Sequence, residues 1–168
     1  MRARKDTKWK PVMISNVRYY VTSTGYVLGH GDLPRYISSS HSIVCLTKDY
    51  HRNASYNDNL CLFRALSFHK YGEALYKQSP KFEAQVRKFY IEFNTYMTQD
   101  FHCGVEINYM PDFEKCFETN VNIFSLKEDG TVIPVFKSIK RFDDTMNLNL
   151  FENHLSYVKN FKSIFKKV

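Results

Sequence analysis

The chain has 168 residues, of which 43% are hydrophobic, 16% aromatic and 24% charged, and its formal net charge is +7. This length favours one compact domain, and six Gly and five Pro are too few for a low-complexity or collagen-like chain. The basic charge attracts nucleic acid or acidic partners in general, but much of it lies near the two ends, where we expect solvated tails. No apolar run approaches the roughly 18 residues that span a bilayer and no signal peptide is evident, so we expect an intracellular protein, cytoplasmic or nuclear.

The first third of the chain reads as β-rich. Residues 1–10 form a basic lead-in, and residues 11–50 form an N-terminal part with a predicted hairpin at 18–28 around Ser23-Thr24-Gly25. A turn is expected at 29–32 and a strand at 42–47.

Helical patterns follow. The apolar spacing predicts a helix over 60–71, closed by Gly72 and capped by Asp58 or Asn59. A second helix is predicted from Ser79-Pro80 to Met97, and a short one over 111–117.

The last third returns to strands. We expect a hairpin of 121–126 and 131–136 around Glu128-Asp129-Gly130, then strands at 148–151 and 155–158, and a closing helix at 160–167. The fold class predicted by this order is α+β, with helices packed on a mainly antiparallel sheet.

The cysteines are the first candidates for chemistry. None of them forms a C-x-x-C pair, and no close Cys/His quartet is present, so the sequence indicates no metal site, no cofactor and no disulfide; the four are Cys45, Cys61, Cys103 and Cys116. Cys61 falls in the first turn of a predicted helix, where free N–H groups and the helix dipole stabilise a thiolate. Those N–H groups, with Asp58 or Asn59 before them, would form an oxyanion hole. The alternative is that Cys61 is a small buried hydrophobic residue.

A cysteine nucleophile needs a base from elsewhere in the chain. His154 stands in a polar triplet between two strand-like segments, which suits that role. His69 lies on the same predicted helix as Cys61 but about 12 Å further along its axis, beyond hydrogen-bond reach. The alternative for an isolated histidine is a surface or satisfied core position.

The segment Asp58-Asn59-Leu60-Cys61-Leu62-Phe63-Arg64-Ala65-Leu66 resembles the D-G-N-C-L-F-R-A-L signature of the ovarian-tumour (OTU) class of papain-like cysteine proteases. This resemblance implies a papain-like fold in which Cys61 is the nucleophile, Asp58 shapes the oxyanion loop and His154 is the base. It also implies deubiquitinase activity, which is cleavage after the C-terminal Gly-Gly of ubiquitin to release an isopeptide-linked lysine.

A broader pattern over residues 56–168, the expected catalytic core, is similar to OTU-like domains in Maverick/Polinton-type mobile-element proteins. It includes Asn120-Val121-Asn122-Ile123-Phe124-Ser125-Leu126 and His154-Leu155-Ser156-Tyr157-Val158-Lys159-Asn160-Phe161. The resemblance implies a transposable-element protein.

The chain departs from the OTU signature at three points. Asn59 and Leu60 replace Gly and Asn; Asn tolerates left-handed dihedrals better than most residues, whereas Leu60 offers only its backbone. The class often has Asn or Asp two residues after the His, whereas this chain has Ser156, which orients an imidazole poorly. Glu152 is an alternative, because residues i and i−2 of one strand share a face, and it resembles the acid-x-His pair of herpesvirus tegument deubiquitinases. Asn160 and Asp143-Asp144 are further candidates for the third member.

The expected partners are ubiquitin, polyubiquitin or a ubiquitin-like modifier, with no membrane involved. Acidic side chains would hold the arginines of the ubiquitin tail; the candidates are Asp112, Glu114, Glu118, Glu128 and Asp129. Two other functions stay open, a protease that processes a mobile-element polyprotein or a ubiquitin-like modifier, and an inactive nucleic-acid-binding module, although no nucleic-acid motif is present.

Overall fold

The order of elements gives an α+β protein. The computed structural model describes residues 33–165; the basic lead-in at 1–10, the hairpin predicted at 18–28 and the turn predicted at 29–32 lie outside these residues. The described elements are α1 (Arg35–Ser38), β1 (Ile43–Val44), α2 (Cys61–Tyr76), α3 (Ser79–Met97), a 3₁₀ turn (Ile107–Tyr109), α4 (Met110–Phe117), β2 (Asn120–Leu126), β3 (Val132–Lys137), β4 (Thr145–Phe151), β5 (His154–Val158) and α5 (Phe161–Phe165). The predicted α+β class is confirmed.

The strands form one mixed sheet in the order β1-β5-β4-β2-β3. β1 with β5, β5 with β4, and β2 with β3 pair antiparallel, whereas β2 and β4 are parallel neighbours. The predicted hairpin around Glu128-Asp129-Gly130 is confirmed by the β2–β3 pairing. Of the strand predicted at 42–47, only Ile43 and Val44 pair in the sheet, and the four-residue helix α1 precedes it in a part predicted to be β-rich.

The helices follow the apolar spacing of the sequence closely. α3 spans the predicted residues, with Pro80 in its first turn and Phe82, Val86, Phe89 and Phe93 buried at intervals of three and four. α2 begins at Cys61, and Gly72 interrupts it with φ 71° and ψ −169°, so the predicted break is confirmed and one further short helical segment reaches Tyr76. None of the helices within residues 33–165 combines the length and apolar character needed to cross a membrane.

Helices cover both faces of the sheet. On one face, apolar strand residues such as Ile123, Leu148 and Leu155 join a single core with α2, α3 and α4. Aromatic rings fill its centre: Phe63, Phe93 and Phe113 are all 0% exposed and their ring centroids lie 5.4–6.1 Å apart. We call this face of the sheet the core face.

The opposite face, here the α1/α5 face, carries α1 and α5. The Tyr36 ring of α1 meets Phe151 of β4 edge-on with centroids 6.4 Å apart. Phe161 of α5 packs on Phe124 of β2 at 4.6 Å. The sheet is therefore the middle of three layers, and its strand residues alternate between the two covered faces.

Candidate active site

The N-terminus of α2 is preceded by a sharp turn in the backbone. Asn59 adopts φ 57°, in the left-handed region, which confirms that it occupies the conformation that glycine would favour. Leu60, rather than Asp58 or Asn59, is the N-cap residue, and it provides no side-chain cap, so the predicted cap is wrong. The carboxylate of Asp58 instead accepts a hydrogen bond from the N–H of Leu60 at 3.3 Å and so stabilises the turn that precedes the helix.

Cys61 sits where this turn meets the edge of β5. The N–H of Lys159 donates to Ser42 on the β1 side at 2.8 Å, and N–H groups of alternate residues along a strand point to the same side. The N–H of Leu155 therefore also points to that edge, but β1 ends at Val44 and does not reach it. The thiol of Cys61 occupies the position that a β1 carbonyl would have, and it accepts the Leu155 N–H.

Burial controls the protonation of Cys61. The residue is 2% exposed, and burial raises the pKa of its thiol to about 11 against the smaller lowering effects of the Leu155 N–H, the Arg64 charge and the Leu62 N–H. In this structure Cys61 is therefore a protonated thiol at neutral pH. The two N–H donors on its sulfur and the dipole of α2 favour the thiolate once a base removes the proton.

His154 is the first residue of β5 and is only 4% exposed. It pairs with Phe151 across the β4–β5 turn, so its side chain leaves the strand on the α1/α5 face. The next residue, Leu155, supplies the N–H that binds Cys61, so this N–H and the imidazole belong to neighbouring residues of β5. The fold thus brings the thiol of Cys61 to the backbone at the start of β5, the strand that carries His154.

Asp58 is hydrogen-bonded to Leu60 and Arg64 rather than to the thiol, and its negative charge adds to the raised pKa of Cys61. Its two carboxylate oxygens bind the guanidinium of Arg64 at 2.8 and 2.6 Å, and Arg64 also binds Glu83 of α3. Burial alone would raise the pKa of Asp58, but the hydrogen bonds and charge of Arg64 hold it below its usual value. The guanidinium stacks 3.5 Å from the centroid of the Tyr56 ring, so Arg64 joins both ends of the loop to the helices.

The geometry proposed for Glu152 is wrong. Glu152 is in the two-residue turn between β4 and β5, with φ 51° and an exposed side chain, and is not on the strand that carries His154. A residue in the turn does not share the strand's alternation of faces, so the i, i−2 argument does not apply.

Two other candidates for the third catalytic residue, the one that would orient His154, bind other side chains or backbone groups. Asp144 binds Lys70 and His69 at 2.6 and 2.7 Å, and Asn160 accepts the N–H of Ser163 at the start of α5. Asp143 is exposed. Ser156 is buried, two residues after His154 on the same strand and face.

Acidic residues are unequally placed for contact with a peptide tail. Glu114 is buried and accepts the Val121 N–H, and Asp112 pairs with Lys115. Glu118 lines a cavity between α2, α3 and α4 on the core-face side. Glu128 and Asp129 line a different groove of about 490 Å³, together with Tyr36 of α1. This second groove is on the α1/α5 face, the face on which His154 leaves its strand.

All four cysteines are free thiols. Within residues 33–165 no group of three or more His, Cys, Asp or Glu side chains has the geometry to hold a metal ion.

No protein-family model matches the chain, and neither a curated protein nor a solved structure is detectably similar to it.

Proposed function

We propose that this protein is a thiol isopeptidase that cleaves after the C-terminus of ubiquitin, with an OTU-like, papain-like site. The observation that supports this proposal most strongly is the position of Cys61. It is the first residue of α2, and its sulfur accepts the N–H of Leu155, which directly follows His154. A nucleophile at a helix N-terminus beside a strand-borne histidine is the arrangement that thiol acyl transfer needs.

In the proposed mechanism His154 takes the proton of Cys61 as the substrate carbonyl arrives, and the thiolate attacks the carbonyl carbon. N–H groups at the start of α2 and in the Asn59 turn hold the oxyanion. His154 then protonates the leaving lysine amine, which departs and leaves a thioester on Cys61. Water, deprotonated by His154, hydrolyses the thioester and releases the ubiquitin carboxylate and the free thiol.

Substrate binding has to open this site, because Cys61 and His154 are 2% and 4% exposed. Contacts remote from the scissile bond supply the free energy for such an opening. Glu128 and Asp129 are the acidic residues best placed to hold the arginines of the ubiquitin tail, since they line the groove on the His154 side of the sheet. A transposable-element origin belongs to the same proposal.

Ubiquitin carrying a C-terminal electrophile tests the function. The wild-type protein should gain one ubiquitin covalently, and Cys61→Ala should gain none. Cys116→Ala is the matched control, because burial also raises the pKa of Cys116 to about 11 but this thiol is on α4, on the core-face side of the sheet. His154→Gln should lose labelling while keeping its thermal unfolding transition.

If the folded wild-type protein remains unlabelled, the ubiquitin proposal is wrong. A polyprotein-processing protease would then be indicated by cleavage of a longer precursor that depends on Cys61. A nucleic-acid-binding module would be indicated by salt-sensitive binding to DNA that survives Cys61→Ala.

A further inference from the structure

Four side chains, one of them that of His154, meet on the α1/α5 face. Asn149 of β4 stands directly opposite Ser156 of β5, and His154 is two residues before Ser156 on the same face. On the other side of Ser156, the thiol of Cys45, just after β1, lies against the Ser156 hydroxyl. Asn149, Ser156 and His154 are 2%, 0% and 4% exposed, so this polar group is enclosed.

The amide of Asn149 has a fixed orientation and a spare donor. Its Oδ1 accepts the backbone N–H of Leu126 at 2.9 Å, which identifies the other terminal atom as Nδ2. That Nδ2 has no hydrogen-bond partner within residues 33–165. A buried donor without an acceptor is unfavourable and requires an explanation.

The surroundings of Asn149 restrict what its Nδ2 can reach. The strand neighbour on one side is Phe124 of β2, whose ring packs on Phe161 and offers no acceptor oxygen. On the other side are the Ser156 hydroxyl, directly opposite, and the His154 imidazole, diagonally across the strand pair. The donor therefore faces the part of β5 that carries the predicted base.

We propose that Ser156 and Asn149 act together as the positioning group for His154, an inference that rests on the proposed function. For His154 to accept the proton of Cys61, one of its ring nitrogens must be unprotonated, so in the neutral imidazole the other nitrogen carries the proton and donates it to an acceptor. The Ser156 Oγ, on the same face two residues away, is that acceptor. A serine hydroxyl rotates freely, and a hydrogen bond donated by Asn149 Nδ2 to the same Oγ would fix it.

The hydrogen-bond capacities agree with this assignment. A hydroxyl offers one donor and two acceptor lone pairs. Ser156 Oγ would accept from His154 and from Asn149, and its own proton would point to the sulfur of Cys45, which it already touches. In the structure Ser156 Oγ accepts no hydrogen bond from the residues at 33–165, so side-chain rotations have to complete the network.

This arrangement accounts for the departure from the OTU signature after the histidine. One Asn or Asp at position 156 would reach the imidazole unaided, whereas Ser156 is shorter and needs a partner. The carboxamide is present on the neighbouring strand instead, directly opposite. The pair Ser156→Asn with Asn149→Ser exchanges the two side chains and moves the carboxamide onto β5.

The test uses protein labelled with ¹⁵N-histidine, in which His154 is assigned among the six histidines by loss of its signals in His154→Gln. We expect one dominant imidazole tautomer in the wild type and mixed tautomers in Ser156→Ala and Asn149→Ala. Asn147→Ala is the matched control, since Asn147 is on the same strand and face but bonds to Asn122 of β2. It should leave the His154 signals unchanged.

Reaction with the ubiquitin electrophile gives the second readout. We expect a loss in rate of about 100-fold in each single variant at matched stability and recovery in the exchanged double variant. Unchanged His154 tautomers in both single variants would overturn the positioning role even if the wild type reacts. If the tautomers change in Ser156→Ala and Asn149→Ala but the wild-type protein does not react with the ubiquitin electrophile, the positioning role is kept and the ubiquitin proposal is rejected.

Discussion

Arg64 binds both carboxylate oxygens of Asp58, at 2.8 and 2.6 Å, six residues back along the chain. Arg64 is 1% exposed, and the same guanidinium also reaches Glu83 of α3. The Asp and the Arg of the D-x-x-C-x-x-R segment are therefore partners, and together they fix the loop that leads into Cys61.

Replacing Arg64 should destabilise the fold strongly. Arg64→Met leaves Asp58 and Glu83 without their shared cation; these acids are 39% and 23% exposed, so we expect the loss of the charge-assisted hydrogen bonds to cost about 2 kcal/mol. Urea denaturation measures the free energy of unfolding. Arg87→Met, at an exposed position of α3, is the control and should change it by less than about 0.5 kcal/mol. Equal unfolding midpoints for the two variants would contradict the structural role of Arg64.

The left-handed turn at Asn59 gives a second prediction. Asn59→Ala should lower the free energy of unfolding by about 1 kcal/mol, because an alanine Cβ is unfavourable at φ 57°. Asn59→Gly should remain within about 0.5 kcal/mol of the wild type, since it removes the strain but also the long 3.4 Å bond to the His102 carbonyl. Asn57→Ala, two residues earlier and exposed, is the control. If alanine and glycine at position 59 are equally stable, the turn does not have this conformation in solution.

Local patterns predicted the helices well and the turns less well. α3 was predictable because its apolar residues recur at three and four and Pro80 marks its start. The four residues of α1 are too few to show a period. The β4–β5 turn was predicted to within one residue, but Glu152 was wrongly aligned with the strand of His154, because it adopts φ 51°, a conformation usually signalled by Gly or Asn.

The candidate site could also be predicted from local sequence only in part. Cys61 could be singled out from its position at the start of an amphipathic helix, and Asn59 from its tolerance of positive φ. Asn149 carried no signal, because its place opposite Ser156 depends on the register between two strands. The burial that raises the pKa of Cys61 also depends on packing between distant parts of the chain.

Thiol reactivity should report the closed site directly. Cys103 is exposed and should react first with iodoacetamide at neutral pH. Cys116 and Cys61 both have a thiol pKa raised to about 11 by burial, but Cys116 is only half-buried whereas Cys61 is 2% exposed. Cys116 should therefore react slowly, with a rate that rises about tenfold per pH unit, and Cys61 should react last. Mass spectrometry of timed samples measures all three, and fast labelling of Cys61 would show that the site is open.

The carboxylate of Asp144 should make the stability of the folded protein depend on pH in the acidic range. Burial opposes its ionisation, but hydrogen bonds from Lys70, His69 and Thr119 outweigh that effect and lower its pKa to about 2 from 3.8. Because the pKa in the folded state is below the ordinary value, the stabilisation is complete above about pH 4. It is lost as the pH falls through 2, where the folded protein must also take up the proton.

The variant Asp144→Asn should unfold at a lower temperature than the wild type at pH 7. Its unfolding temperature should fall less than that of the wild type when the pH is lowered from 4 to 2. The side chain is 39% exposed, so we expect a shift of only about 3 °C, which is typical of a solvent-screened pair. Asp143→Asn is the matched control, since it removes the same charge at the adjacent, exposed position. Thermal unfolding followed by circular dichroism at pH 2, 3, 4 and 7 measures the difference. If Asp144→Asn and Asp143→Asn show the same acid dependence, the cluster around Asp144 does not hold α2 to the start of β4 in solution.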